Sequence, residues 1–188
     1  MPRVENHEVD LPELPATSRR RLITSLLAGG AVVAASPLLA GRASAESTSP
    51  ARDKVDNPLL NQLLDAESNA VATYAAAVKA VSDENDKAAL LLIHDHHLAY
   101  VQALKGYLGR DAGAGTGNGQ AVSGNIASIA GQLAGIETTL VTTHTNALNT
   151  INGHDAASLI ASIITVEARH AAALDIIAGT SPLAAAGA

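Results

Sequence analysis

The chain has 188 residues, 47% of them hydrophobic, 2% aromatic and none cysteine, with a formal net charge of −6. That length supports one domain with a buried core. The missing cysteine excludes a disulfide framework, a zinc ribbon and thiol chemistry, and the negative charge argues against a nucleic-acid partner, which requires a basic footprint. An apolar content carried by alanine and aliphatic residues, almost without aromatics, favours close-packed helices over a sheet sandwich.

Met1 to Thr17 are polar and include Pro2, Pro12 and Pro15. Ser18-Arg19-Arg20-Arg21-Leu22-Ile23 follows. It resembles the twin-arginine export signature, in which Ser or Thr precedes two arginines and an apolar pair. Leu22 to Ala40 is modestly apolar and is interrupted by Gly29, Gly30 and Pro37. Such a stretch is barely long enough to span a bilayer. Ala43-Ser44-Ala45 is a small-residue cleavage pattern and sets the mature start at Glu46. The resemblance implies that the twin-arginine machinery exports the folded protein to the periplasm, cell envelope or exterior, with no stable membrane insertion after cleavage. That route suits a protein that takes up a metal or cofactor in the cytoplasm, although cofactor-free proteins also use it.

Residues 46–57 read as a linker, after which four helices are predicted, with the helical domain spanning 58–182. Asn57-Pro58 is a helix start, with Asn as cap and Pro at the first helical position. Helix 1 is expected over 58–81. Ser82-Asp83 makes a turn and a fresh cap, and helix 2 runs over 83–108 to Gly109. Ala112 to Gly119 is a glycine-rich segment read as flexible. Helix 3 covers 123–151, Asn152-Gly153 turns the chain, and Asp155 can cap helix 4 over 156–178. Gly179 and Pro182 end that helix, and a frayed tail is expected at 183–188. The short turns make helices 1 and 2, and helices 3 and 4, antiparallel neighbours. Helix 2 would be about 37 Å long, and roughly eleven extended residues retrace that length. The segment 109–124 supplies them, so a long crossover between helices 2 and 3 is expected.

Each helix carries an apolar stripe at alternating three- and four-residue steps, and each stripe is interrupted near mid-length by ionisable residues. They are Glu67 in helix 1, His94 and His97 in helix 2, Glu137 and His144 in helix 3, and Glu167 and His170 in helix 4. A lone buried Glu costs several kcal/mol or shifts its pKa strongly. Converging Glu and His residues become tolerable when a cation sits among them. Glu167 and His170 are three apart and project from one helix face in adjacent turns.

Val166-Glu167-Ala168-Arg169-His170-Ala171, followed by Leu174 and Gly179, resembles the last helix of the ferritin-like family. Ala66-Glu67 with Ala70 and Tyr74 resembles its first helix. The likeness covers roughly residues 59–182. It implies an all-α, ferritin-like four-helix bundle with the crossover between helices 2 and 3. It also implies a metal site of Glu67, His94, His97, Glu137, Glu167 and His170. Helix 2 departs from the family's Glu-x-x-His, because His94 stands where the second bridging Glu belongs. Asp95 and His96 point elsewhere by helical geometry, with His96 at the surface, unless a rotated helix brings Asp95 in. His144 is assigned a structural or outer supporting role, and Tyr74 core packing or a hydrogen bond to a ligand carboxylate. Iron or manganese is the expected cation, and zinc or copper in a mononuclear site the alternative. The expected activity is oxidation of metal or removal of peroxide. The competing expectation is a non-catalytic, stress-protective scaffold whose metal site has degenerated. Small residues on several helix faces would allow a homodimer.

Overall fold

A computed structural model describes residues 53–182. The export segment expected at 1–45, residues 46–52 and the tail at 183–188 lie outside the described residues. The described residues form four long helices, α1 (Asp53–Ala80), α2 (Glu84–Leu108), α3 (Ile126–Leu148) and α4 (His154–Ala178), with a 3₁₀ turn at Gly109–Asp111. There is no strand among the described residues. None of their helices is long and apolar enough to cross a membrane.

The turn chemistry explains three of the helix ends. The Asp83 carboxylate accepts from the backbone N–H groups of Asn85 and Asp86 at the start of α2. The Asn125 side chain accepts from Ser128 N–H and starts α3. Gly179, at φ +80°, closes α4 with its N–H on the carbonyls of Asp175 and Ile176. Each satisfies backbone groups that a helix terminus leaves unpaired.

Two ends differ from expectation. Asn57 is not a cap. Helix α1 begins at Asp53 and carries Pro58 within its second turn. The proline costs one backbone bond near the helix start, and tertiary contacts outweigh that loss. Asn57 donates to the Asp111 carboxylate at 2.9 Å, and buried Asp56 reaches across to the turn between α3 and α4. There Asp56 accepts from Asn152 N–H at 3.1 Å, Gly153 N–H at 2.7 Å and the Asn152 side-chain amide at 3.2 Å. Asp155 therefore caps nothing. Helix α4 starts at Gly153 without a side-chain cap of its own, and Asp56 from α1 covers the turn in its place.

The crossover is also more ordered than its composition suggests. It lies along α1, pointing the same way. Gly113 N–H donates to Asn61 Oδ1 and Asn118 N–H to Asn69 Oδ1, each at 2.6 Å, and Gln120 N–H donates to Thr73 Oγ1 at 2.9 Å. The approach is so close that a Cβ on Gly117 would stand 1.9 Å from the Ser68 carbonyl oxygen. The glycines give close backbone packing here, not looseness.

The crossover returns the chain to the far end of the bundle, and the core consists of two apolar layers. One joins Tyr74, Ala77, Leu90, Ile93, Ile129, Leu133 and Leu174. The other joins Leu60, Leu64, Leu104, Ala156, Ile160 and Ile163. A polar layer from the middle of all four helices lies between them.

Candidate metal centre

The polar layer contains Glu67 from α1, His97 from α2, Glu137 and His144 from α3, and Glu167 and His170 from α4, all fully buried. His96 of α2 joins them at 7% exposure. These seven side chains form a chain across the bundle in which acid and imidazole mostly alternate. His96 Nδ1 lies 2.8 Å from His170 Nε2, and His170 Nδ1 lies 3.3 Å from Glu137 Oε2. Glu137 Oε1 meets His97 Nε2 at 2.9 Å, and His97 Nδ1 meets Glu67 Oε2 at 2.7 Å. Glu67 Oε1 stands 3.2 Å from His144 Nε2, and His144 Nδ1 stands 3.2 Å from Glu167 Oε2. The Tyr74 hydroxyl donates to Glu137 Oε1, and its ring stacks on His97 with centroids 5.2 Å apart.

Five of the six residues expected as ligands converge: Glu67, His97, Glu137, Glu167 and His170. His94 does not. Its side chain is 19% exposed and pairs with Asp95, itself 67% exposed, at 3.0 Å. The position where the family has its second bridging carboxylate is thus both substituted and turned aside. His96 corrects the sequence reading, since it is buried against His170 and not at the surface. The buried face of α2 takes in Ile93, His96 and Tyr100 beside Leu90, His97, Val101, Leu104 and Leu108, so it extends to the His96 flank of the stripe and leaves His94 out. His144 was visible as a polar residue on an apolar stripe. Its contacts with Glu67 and Glu167 needed three helices in place.

Electrostatics follow from this alternation. Burial alone would push the His97 imidazole down, but Glu137 and Glu67, one on each ring nitrogen, hold it well above its ordinary range. Burial is likewise overridden at His144, which Glu167 and Glu67 raise to about 10. Glu67 is lowered to about 2, since His97 and His144 outweigh its desolvation. Glu137 moves down for the same reason under His97 and His170. Glu167 goes the other way, to about 7, because burial and the neighbouring carboxylates prevail over His144. His96, desolvated and beside two imidazoles, is lowered to about 4.

The donor set fits a cation. Glu67 Oε1, both oxygens of Glu167, His144 Nε2 and His96 Nε2 are buried without a well-aligned hydrogen bond, although His144 stands 3.2 Å from Glu67 Oε1 and from Glu167 Oε2. Buried carboxylate oxygens without well-aligned partners are expensive. In its neutral form His144, with Nδ1 bonded to the Leu140 carbonyl at 2.8 Å, turns a lone pair toward Glu67 Oε1. Two acceptors facing each other require a proton or a metal ion between them. A backbone carbonyl on the far nitrogen is also how ligating histidines are commonly fixed. Two triads have ligand atoms within 4.8 Å of one another, His97 with Glu137 and His170, and His97 with Glu67 and Glu167. Oxygen and imidazole donors in such numbers suit first-row divalent ions.

The family model for the ferritin-like domain matches residues 55–180, nearly the whole four-helix unit. No curated protein and no solved structure matches the chain.

Proposed function

Since the chain belongs to the ferritin-like domain family, we propose that it is an exported metal-binding protein whose bundle core holds iron or manganese. The carrying observation is the set of buried carboxylate oxygens on Glu67 and Glu167 that lack a well-aligned hydrogen bond and have His144 no closer than 3.2 Å, set among imidazoles between two apolar layers. Glu67, His97, Glu137, Glu167 and His170 hold the metal, with His144 as a further donor. Tyr74 orients Glu137, the Leu140 carbonyl orients His144, and the apolar layers exclude water. Iron bound by such a mixed set would supply open positions for reduction of dioxygen or peroxide. The activity that follows is metal oxidation or peroxide removal. Ser18-Arg19-Arg20 supports export of the folded, loaded protein by the twin-arginine route.

A second reading rests on the same layer. With His97 and His144 charged, protons alone offset the charge of the buried carboxylates. This favours a scaffold that folds without metal. Elemental analysis of the full chain, purified after folding in the cytoplasm, separates the two. Stoichiometric iron or manganese, lowered in both Glu167→Ala and His170→Ala, is the expected result. A well-folded, metal-free parent that takes up no added iron or manganese sinks the metal reading. Replacing Arg19 and Arg20 by Lys should retain the protein in the cytoplasm, and undiminished export would remove the twin-arginine route.

A further inference from the structure

We infer that His97 divides the polar layer into two separate cation sites, one on each ring nitrogen, so that an imidazole and not a carboxylate stands between the two ions. The inference rests on the metal-binding reading above and specifies the form of that site.

A carboxylate bridges two cations when its oxygens face different ions. Neither candidate carboxylate is placed that way here. Both oxygens of Glu137 lie on the Nε2 side of His97, with Oε1 2.9 Å from His97 Nε2 and Oε2 3.3 Å from His170 Nδ1. Both oxygens of Glu67 lie on the Nδ1 side, with Oε2 2.7 Å from His97 Nδ1 and Oε1 3.2 Å from His144 Nε2. Glu167 adds to the Glu67 side through His144 Nδ1 at 3.2 Å. Helix α2 brings no carboxylate inward, because His94 and Asp95 pair with each other at the surface. The two triads therefore share His97 and nothing else.

The ring is well held for this role. Tyr74 stacks against it at 5.2 Å, and Tyr100 meets it edge-on at 5.9 Å. Each half also has an imidazole beyond its triad. His96 Nδ1 braces His170 at 2.8 Å on one side, and His144 stands between Glu67 and Glu167 on the other. Filling both sites places a metal–nitrogen bond on each ring nitrogen of His97. The ring then carries neither of its protons, and both leave to solvent. With metal–nitrogen bonds of about 2 Å, the two ions would stand roughly 6 Å apart across the ring. In a shared-ligand dinuclear centre the separation is about 3.5–4 Å.

The test uses the full chain loaded with Fe(II) under argon and, separately, with Mn(II). Ions per chain are counted by elemental analysis, and the metal environment is read by X-ray absorption. The expected result is two ions per chain, imidazole scattering, and no metal–metal vector near 3.5–4 Å. Glu167→Gln and His170→Ala should each reduce two ions to one. The remaining ion should keep its affinity to within a few-fold, and the double variant should bind none. Glu167→Gln preserves side-chain shape, and helical circular dichroism of each variant confirms folding. Two ions at the short separation, or loss of both ions from either folded single variant, overturns the imidazole bridge and leaves metal binding intact. A parent chain that binds neither metal overturns the functional reading and the bridge with it.

Discussion

Metal loading of this core should be an exchange of protons for cations, with a size that the layer sets. At pH 7 the metal-free protein holds His97 charged through Glu137 and Glu67, and holds His144 charged with its pKa raised to about 10. Glu167, raised to about 7, is close to half protonated. Filling both sites displaces the two His97 protons, the His144 proton and about half a proton from Glu167, so about three to four leave in all, or nearly two per ion. The apparent binding constant should then rise about 100-fold per pH unit near neutrality, equivalent to about 2.7 kcal/mol. Calorimetric titration with Mn(II) in buffers of different ionisation enthalpy counts the released protons directly. The stability of the metal-free protein should run the opposite way. An imidazole whose folded pKa is raised contributes stability that is full below its ordinary 6.5 and is lost as pH climbs through the raised value. The metal-free chain should therefore weaken above neutrality, where the metal binds best. Fewer than about one proton released per ion, or an affinity that changes less than about tenfold per pH unit, would mean that the imidazoles are already neutral. The electrostatic account would then be wrong.

Four other substitutions test the scaffold, each measured by denaturation of metal-free protein. Asp56→Asn should destabilise by about 1–2 kcal/mol, because it weakens the acceptor that holds the turn between α3 and α4. Burial works against the Asp56 carboxylate, but the Asn152 and Gly153 N–H groups lower its pKa below the ordinary 3.8. Its contribution is therefore present above that value and fades as pH falls through the lowered one, so the gap between parent and variant should close in acid. Gly117→Ala should cost about 2 kcal/mol or more, since its Cβ would meet the Ser68 carbonyl at 1.9 Å. By contrast, Gly135→Ala, with nothing within 4 Å inside α3, should stabilise by about 0.5–1 kcal/mol. Tyr74→Phe removes the donor on buried Glu137 and should cost about 1–3 kcal/mol. Unchanged stability there would show that the hydroxyl contributes nothing.

The sequence by itself determined the four helices and the burial of most of the charged residues on their apolar stripes. Periodicity is a local property, so Glu67, Glu137, Glu167 and His170 could be placed on apolar stripes without knowing what the stripes face. The crossover could be read from its length, because two short turns and one long connection leave few topologies. Only the tertiary structure decided which flank of the α2 stripe is buried. His94 and His96 lie on opposite sides of His97, and spacing within one helix cannot tell which side meets the core. Packing brought His96 inward beside His170 and left His94 with Asp95. The role of His144 needed partners from α1 and α4, and the role of Asp56 needed a turn almost a hundred residues away. The glycine-rich crossover likewise looked mobile until α1 was beside it, because close backbone contact leaves no signal in composition. Glu67, Glu137, Glu167 and His170 were legible as buried from their own helices. Which acid faces which imidazole, and so whether a bridge is made by carboxylate or ring, depends on distances between helices that no single helix encodes.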